Sequence, residues 1–480
     1  MSAVNDRPGE CGADHRTDPP VSAEGLAQAQ ERMREAGVAS AAIEVFSHYY
    51  RQVESGATGL IREDTIEPLL DLPHLDDIRV DPEQAREALS RTVMIKLNGG
   101  LATSMGLDHA KSLLPVHDGL SFLDLAVAQL RAARATYGIR LPLLLMNSFR
   151  TREDSLAALD GYPDLEVPGL PLDFLQNSQP KLWAGDLTPV SWPTDPSLEW
   201  CPPGHGDIYT AILSSGILDA LLEQGFRYAS TSNSDNLGAS PNATLAGWFA
   251  ASGAPYAAEM TLRTPADRKG GHLAIRRVDG QLILRDTAQT APDEMHYFTD
   301  EHHHPYAHTN NLWFDLEVLR AALVERGSVL GLPLIRNIKT VDPTDPSSPE
   351  VVQIETAMGA AVEVFPGATA IAVPRSRFLP VKTTNDLLVL RSDAYDVGDD
   401  GVPRLVAQSA PLVDLDPGYY LTMADFDARF PHGAPSLRHA TGLTVRGDWT
   451  FGAHVEVSGE VSIGDSGVPA VVADGVQLSG

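Results

Sequence analysis

Residues 96–116 read KLNGGLATSMGLDHAKSLLPV: an apolar run closes on Gly99 and Gly100, passes Gly106 and reaches a lysine, Lys111. The chemistry such a stretch offers is anion binding. Glycines that follow a strand permit positive φ and close backbone approach, and the N–H groups they leave uncovered can face a phosphate. Two familiar phosphate loops fail on spacing. Walker A requires G-x-x-x-x-G-K-[ST], whereas Gly106 is followed by Leu107 and the lysine stands five residues on; the dinucleotide fingerprint G-x-G-x-x-G is absent. By spacing alone the stretch is a nucleotide loop of unspecified kind, or a surface turn.

The cations sharpen this. Of 36 cationic residues 30 are arginine, so arginine is the default surface cation, and lysine occurs only at Lys96, Lys111, Lys181, Lys269, Lys339 and Lys382. The six positions are either a random remainder or places where a compact ammonium is wanted. A net charge of −28 argues against a nucleic-acid surface, since phosphate backbones are gripped by clustered cations. An anionic small molecule remains compatible with cations placed locally.

The elements that must position these residues follow from pattern. At 480 residues with 43% hydrophobic content the chain is long enough for two or three domains with a real core. Residues 1–21, rich in Pro, Gly and Asp, read as a disordered tail, and 22–90 as a helical segment carrying AEGLAQAQERMREAG and AAIEVFSHYYRQVES, with Gly37 and Gly56 as stops. From residue 91 the texture changes. TVMIKL and LPLLLMN are short buried strands, separated by the helical SFLDLAVAQLRAARATYG with Ser121 as its N-cap. Strand, glycine loop, helix and strand begin a doubly wound α/β domain. IYTAILSSGILDALLEQG reads as the next helix and FRYASTSNSDNLG as a strand entering a loop; LAIRRV and QLILRD flank Asp279-Gly280 as an antiparallel hairpin. Near the end, the pairs Leu443/Val445, Trp449/Phe451, Val455/Val457 and Val461/Ile463 recur every six residues. That hexad reads as stacked β-helix coils, with an antiparallel meander as the alternative. Such a module supports or assembles.

No apolar run reaches the length of about 18 residues needed to span a bilayer, and the polar start lacks a signal-peptide core, so the expectation is a soluble, cytoplasmic protein with no membrane partner. Cys11 and Cys201 are too few for a disulfide framework and read as free thiols. EHHHP, residues 301–305, invites a zinc reading, but three adjacent side chains diverge and no carboxylate stands at ligand spacing in sequence, so it reads as a loop.

KLNGGLATSMGLDHAKS resembles the nucleotide-binding loop of the eukaryotic-type UTP–glucose-1-phosphate uridylyltransferases, or UDP-glucose pyrophosphorylases. LLLMNSFRTREDS, WCPPGHGDIY, SNSDNLGA, ADRKGGHL, HTNNLWF, NIKTVDPTD, IETAMGAAVEVF and VPRSRFLPVKTTNDLLVLRSDAY resemble further segments of that family, in its order, across roughly residues 90 to 395. All six lysines fall in or beside these segments. The resemblance implies a mixed-sheet, Rossmann-like catalytic domain over 91–395 and a C-terminal segment over 396–480 ending in a left-handed β-helix, a candidate surface for homo-oligomer formation. Two departures stand out. Ala102 occupies a position where the family has glycine, and would be strained if that position needs positive φ. DFLQNSQPKL matches its family segment loosely, which weakens the transfer of a role to Gln176.

The implied reaction joins glucose 1-phosphate to the α-phosphorus of UTP and releases pyrophosphate. A phosphate monoester has a second pKa of about 6, so the nucleophile is already mostly a dianion at neutral pH and no general base is needed. By resemblance, Leu97, Asn98, Gly99 and Gly100 with Gln176 and Gly204 hold uridine. Lys111 and Lys382 hold phosphates and are the catalytic candidates. His205 meets the sugar phosphate, and Asn233, Gly270 and Asn311 line the sugar side. Asp235, in SNSDN at a strand end, is the candidate ligand for Mg²⁺, which prefers one or two carboxylates plus substrate phosphates. The rival readings are a pyrophosphorylase acting on N-acetylglucosamine 1-phosphate or on several sugars, and a non-catalytic assembly or regulatory protein. NNLW and ETAMGAA are closer to the glucose enzymes, and Lys111, Asp235 and Lys382 are all retained.

Overall fold

The computed structural model describes residues 23–264, Asp267 and 270–480. The tail assigned to residues 1–21, Cys11 and Lys269 lie outside the described residues. At the centre stands a seven-stranded sheet built from β1 (Thr92–Asn98), β2 (Leu143–Asn147), β3 (Asp173–Leu175), β4 (Tyr228–Asn233), β5 (Tyr256–Leu262), β6 (Tyr306–Asp315) and β7 (Thr369–Ala372). Its spatial order is β7-β5-β6-β4-β1-β2-β3. β4, β1, β2 and β3 run parallel, β6 is antiparallel to both neighbours, and β7 is parallel to β5. The chain is thus α/β with a mixed sheet.

Both faces are covered, which is why the strands read as unbroken apolar runs. Alternation still sorts them. Val93, Ile95, Leu144 and Met146 join one core with Phe46, Tyr50, Ile212 and Leu319 from helices Ser40–Glu54, Ile208–Ser214 and Leu316–Glu325. Met94, Leu143 and Leu145 join the opposite one with Leu89, Val127, Leu130 and Phe249 from helices Pro82–Ser90, Phe122–Tyr137 and Ala243–Ser252. Ser121 begins Phe122–Tyr137 with the expected cap, strengthened to a capping box by Asp124. The helix read from IYTAILSSGILDALLEQG is instead two, Ile208–Ser214 and Ile217–Glu223, because Gly216 at φ 76° stops the first and opens the second. The hairpin His272–Arg276 with Leu282–Arg285 forms, but its connection is longer than two residues, and Ile66–Pro68 adds a third antiparallel strand beside it.

The hexads of the C-terminal segment stack in parallel. Leu443 pairs with Val461 and Val445 with Ile463, Trp449 with Ala470 and Phe451 with Val472, so the antiparallel alternative is excluded. Their inward residues do not form a closed core of their own. Leu443, Phe451 and Val457 share one apolar cluster with Tyr420, Phe426 and Phe430, and also with Ala102, Met105, Leu114 and Val116 of the glycine loop. No helix among the described residues is long and apolar enough to cross a membrane.

Candidate active site

The glycine loop leaves β1 at Asn98, which lies in register with Asn147 at the end of β2, while Leu97 lies in register with Asn233 at the end of β4. Carboxyl ends of parallel strands are where ligands gather in open α/β sheets, since the chain diverges there and leaves backbone groups uncovered. Asn98 is buried, and its amide donates to Asn147 Oδ1 at 2.7 Å and to Ser155 Oγ at 2.8 Å. Asn147 in turn donates to Asp173 at 3.1 Å. These bonds tie the carboxyl ends of β1 and β2 to Asp173 at the start of β3.

Beyond it, Gly99 lies against Gln176: a Cβ there would stand 2.8 Å from Gln176 Oε1 and 2.9 Å from its Nε2. The amide of Gln176 therefore meets the bare face of the loop, in spite of its loosely matching segment. The Lys111 N–H donates to the Gly100 carbonyl at 3.2 Å, closing the loop on itself. Ala102 sits at φ −84°, buried against the C-terminal cluster, so the strain that positive φ would bring does not arise. Gly106, at φ 74°, carries the left-handed turn instead, with its α-carbon against the Thr422 side chain.

Lys111 meets Asp235 across this mouth. Its ammonium donates to Asp235 Oδ2 at 2.6 Å and also to the Val381 carbonyl, both side chains being mostly buried. One lysine thus ties together the glycine loop, the loop after β4 and the FLPVK segment, and places the exposed Lys382 next in sequence to its own acceptor. The Lys382 N–H donates to Asp386 Oδ2 at 2.8 Å.

Opposite, Gly204 is at φ 80°, with room for no side chain: a Cβ would stand 2.5 Å from the Thr356 carbonyl. The turn is clamped by Thr356 N–H to the Pro203 carbonyl and Gly206 N–H to the Thr356 carbonyl. His205, within it, accepts the Met358 N–H at Nδ1, 2.9 Å away. Burial lowers its pKa, so it is a neutral imidazole whose Nε2–H is a donor. Gly270 closes a turn onto the Asp267 carbonyl and accepts from Arg263.

Asn311 is only 2% exposed. Its amide donates to Glu259 and the Arg377 carbonyl, and its Oδ1 accepts from Asn236 at 2.9 Å. It belongs to a buried polar network that the sequence reading does not contain. Arg377 forks onto Glu259 at 2.6 and 2.9 Å, and Trp313 Nε1 donates to the same carboxylate. Burial pushes the Glu259 carboxyl up, but the charge of Arg377 and these hydrogen bonds outweigh it and hold it ionised. Asn236 Oδ1 accepts from Gly238 and Leu379, so the network pins the loop carrying Asp235 to the FLPVK segment. Lys96 supports that loop from below, donating to Ser232 Oγ at 2.9 Å and to the Ala239 carbonyl at 3.2 Å. Burial, aided by Arg377, pulls its pKa down to about 7. The signal in the sequence was a charged residue inside each of two apolar runs, TVMIKL and YAAEMTL.

The family model described as UTP–glucose-1-phosphate uridylyltransferase matches residues 43–458. The UTP–glucose-1-phosphate uridylyltransferase of Solanum tuberosum is 37% identical over 425 residues, covering 87% of this chain and 86% of the relative. That of Saccharomyces cerevisiae is 38% identical over 378 residues, covering 78% and 74%. Among solved structures, UDP-glucose pyrophosphorylase from Leishmania major superposes with a TM-score of 0.89 at 40% identity, covering 95% of this chain and 98% of that one. UDP-glucose phosphorylase from Trypanosoma brucei gives 0.88 at 39%, covering 95% and 100%. Since a matching family model and relatives of this identity run through the glycine loop, the Asp235 loop and the FLPVK segment alike, the chain belongs to the UTP–glucose-1-phosphate uridylyltransferase family.

Proposed function

We propose that this chain joins glucose 1-phosphate to UTP, forming UDP-glucose and pyrophosphate, and runs the reverse reaction. The observation that carries the reading is the Lys111–Asp235 pair, 2.6 Å apart where the loops after β1 and β4 meet, beside Val381 and Lys382. A dianionic phosphate oxygen of the sugar attacks the α-phosphorus of UTP; the new P–O bond forms as the bond to the bridging oxygen breaks, and the electron pair leaves with pyrophosphate. Bringing two polyanions together is the obstacle, so the protein's work is positioning and neutralisation.

Gln176 and the backbone of Leu97–Gly100, with Gly204, read uracil. The neutral Nε2–H of His205 donates to the sugar phosphate, with Asn233 and Gly270 on the sugar side. A sugar contact from Asn311 requires its bonds to Glu259 and Arg377 to open, so its contribution is to hold Asn236. Lys111 and Lys382 approach the phosphates from separate segments. The donor set fits Mg²⁺, with one partly buried carboxylate, Asp235, at a strand end where substrate phosphates complete the shell. When bound there, Mg²⁺ supplies positive charge to the phosphate oxygens. Lys111 moves from Asp235 to the phosphates as the nucleotide enters.

The experiment is turnover of purified protein with UTP against a panel of sugar 1-phosphates, with and without chelator. Glucose 1-phosphate should be preferred, EDTA should abolish the rate, and Asp235→Asn should depress it while the protein stays folded. Equal turnover of N-acetylglucosamine 1-phosphate, or a rate indifferent to EDTA, contradicts the reading.

For the tail, the parallel register and inward apolar residues support stacked β-helix coils, left-handed as the family resemblance implies, that brace the glycine loop and offer a surface for homo-oligomer formation in the cytosol. Light scattering of the full chain against a variant charged at the exposed Val468 and Val471 tests the assembly role.

A further inference from the structure

The loop EHHHP is not inert. His303 and His304, adjacent in sequence, both turn their Nε2 atoms onto one oxygen of Glu63, 2.8 and 3.2 Å away. The carboxylate comes from 240 residues upstream, and this is why the zinc reading lacked a partner at ligand spacing. Glu63 is held in place from its other side, where Oε2 accepts from Arg285, which is wholly buried and also pairs with Glu294 at 2.7 Å.

We propose that Glu63 Oε1, His303 Nε2 and His304 Nε2 bind one divalent transition-metal ion of the Zn²⁺ class, outside the nucleotide site. Three observations carry this. The ligand atoms of the three residues all lie within 4.8 Å of one another; ligands about 2.0–2.1 Å from a tetrahedral ion stand about 3.3 Å apart, close to the two contacts seen. His303 is 35% exposed, so water can reach the fourth position. The His304 ring is fixed by stacking on His272, with centroids 3.8 Å apart, while its Nε2 faces Glu63. Charge agrees. Beside the cluster, Arg62 pairs with Asp293 and Glu294, and Arg285 with Glu63 and Glu294, three carboxylates to two guanidinium groups, which leaves one negative charge in excess for a dication. Binding replaces the proton on each Nε2, which moves to Nδ1, and clips residues 61–65 to the turn before β6.

The test uses the untagged full chain, stripped with chelator and free of nucleotide. Calorimetric titration with Zn²⁺ should show one saturable equivalent, and Co²⁺ should give the visible absorption of a four-coordinate ion. His303→Ala and Glu63→Gln should weaken binding by at least about tenfold. His302→Ala, on the neighbouring exposed position, and Asp235→Asn should bind as the parent does. Zn²⁺ should raise the melting temperature of the parent and not of His303→Ala, whose half-exposed ring can be removed without opening a core. Absence of saturable binding in the parent, binding unchanged in His303→Ala, or equal loss in His302→Ala overturns the site.

Discussion

Lys382 and Lys339 are both exposed lysines in segments that resemble the family, and they separate cleanly in the structure. Lys339 lies on a small side sheet, its ammonium 3.2 Å from Gln353 Oε1 and 3.5 Å from Glu355 Oε1. Lys382 follows the carbonyl that Lys111 grips. Removing one preorganised charge from a developing transition state typically costs on the order of 10²–10³ in turnover. Lys382→Met, which keeps the apolar stem, should therefore lower kcat by roughly that factor, and Lys339→Met should have a much smaller effect. Arginine should restore Lys382 poorly, because a planar fork does not reproduce a compact ammonium. Acylation of lysines mapped by mass spectrometry gives a second reading: UTP should protect Lys111 and Lys382, and equal labelling at saturation would remove both from the phosphate site. What was legible at this scale was residue type. That Lys111 pairs with Asp235, and that the Asn311 amide is committed to Glu259, depends on neighbours far away in the chain.

The turns that carry the site are more tightly constrained than the strands they join. Gly204 has positive φ and a carbonyl where a side chain would go, so Gly204→Ala must displace either its own turn or Thr356. The expected loss is about 1–3 kcal/mol of stability, together with weaker UTP binding. Gly185→Ala, in open space without positive φ, is the control and should stay within a few tenths of a kcal/mol. Denaturant midpoints and nucleotide titration of the two variants check this; matching midpoints would mean that the turn yields freely. Local rules were legible here. The strand–loop–helix order and the Ser121 cap follow from periodicity and hydrogen-bond chemistry within a few residues. The break at Gly216 did not show, because a glycine inside an apolar helical pattern is tolerated as often as it terminates. The strain at Ala102, conditional on a positive φ there, does not arise because its φ is −84°.

Over the whole molecule, the parallel C-terminal strands and the glycine loop share one apolar cluster. Phe451 stacks on Phe430 with ring centroids 4.9 Å apart, and Tyr420 donates its hydroxyl to the Trp449 carbonyl at 2.7 Å. Tyr420 and Thr422 belong to the segment that backs Gly106. Phe451→Ala should thus cost about 3–5 kcal/mol and raise KM for UTP more than it lowers kcat, since it loosens the loop's support and leaves the charged groups in place. Deleting residues 441–480 should act in the same direction and further. A truncated protein of unchanged stability and full affinity for UTP would show the tail to be dispensable to the loop.

By itself the sequence determined which residue types were present and which short segments were strand, glycine turn or helix, and the ordered set of segments identified the family. These properties rest on backbone dihedrals and on periodicities of a few residues. Tertiary structure decided which distant residues meet. Strand order brings Lys111 to Asp235, 124 residues away, and the packing of the hairpin brings Glu63 to His303 and His304. It also laid the parallel C-terminal strands against the glycine loop. Such contacts are selected by the burial of whole surfaces and by the partners a buried polar group can find, and neither is written in the spacing of neighbouring residues.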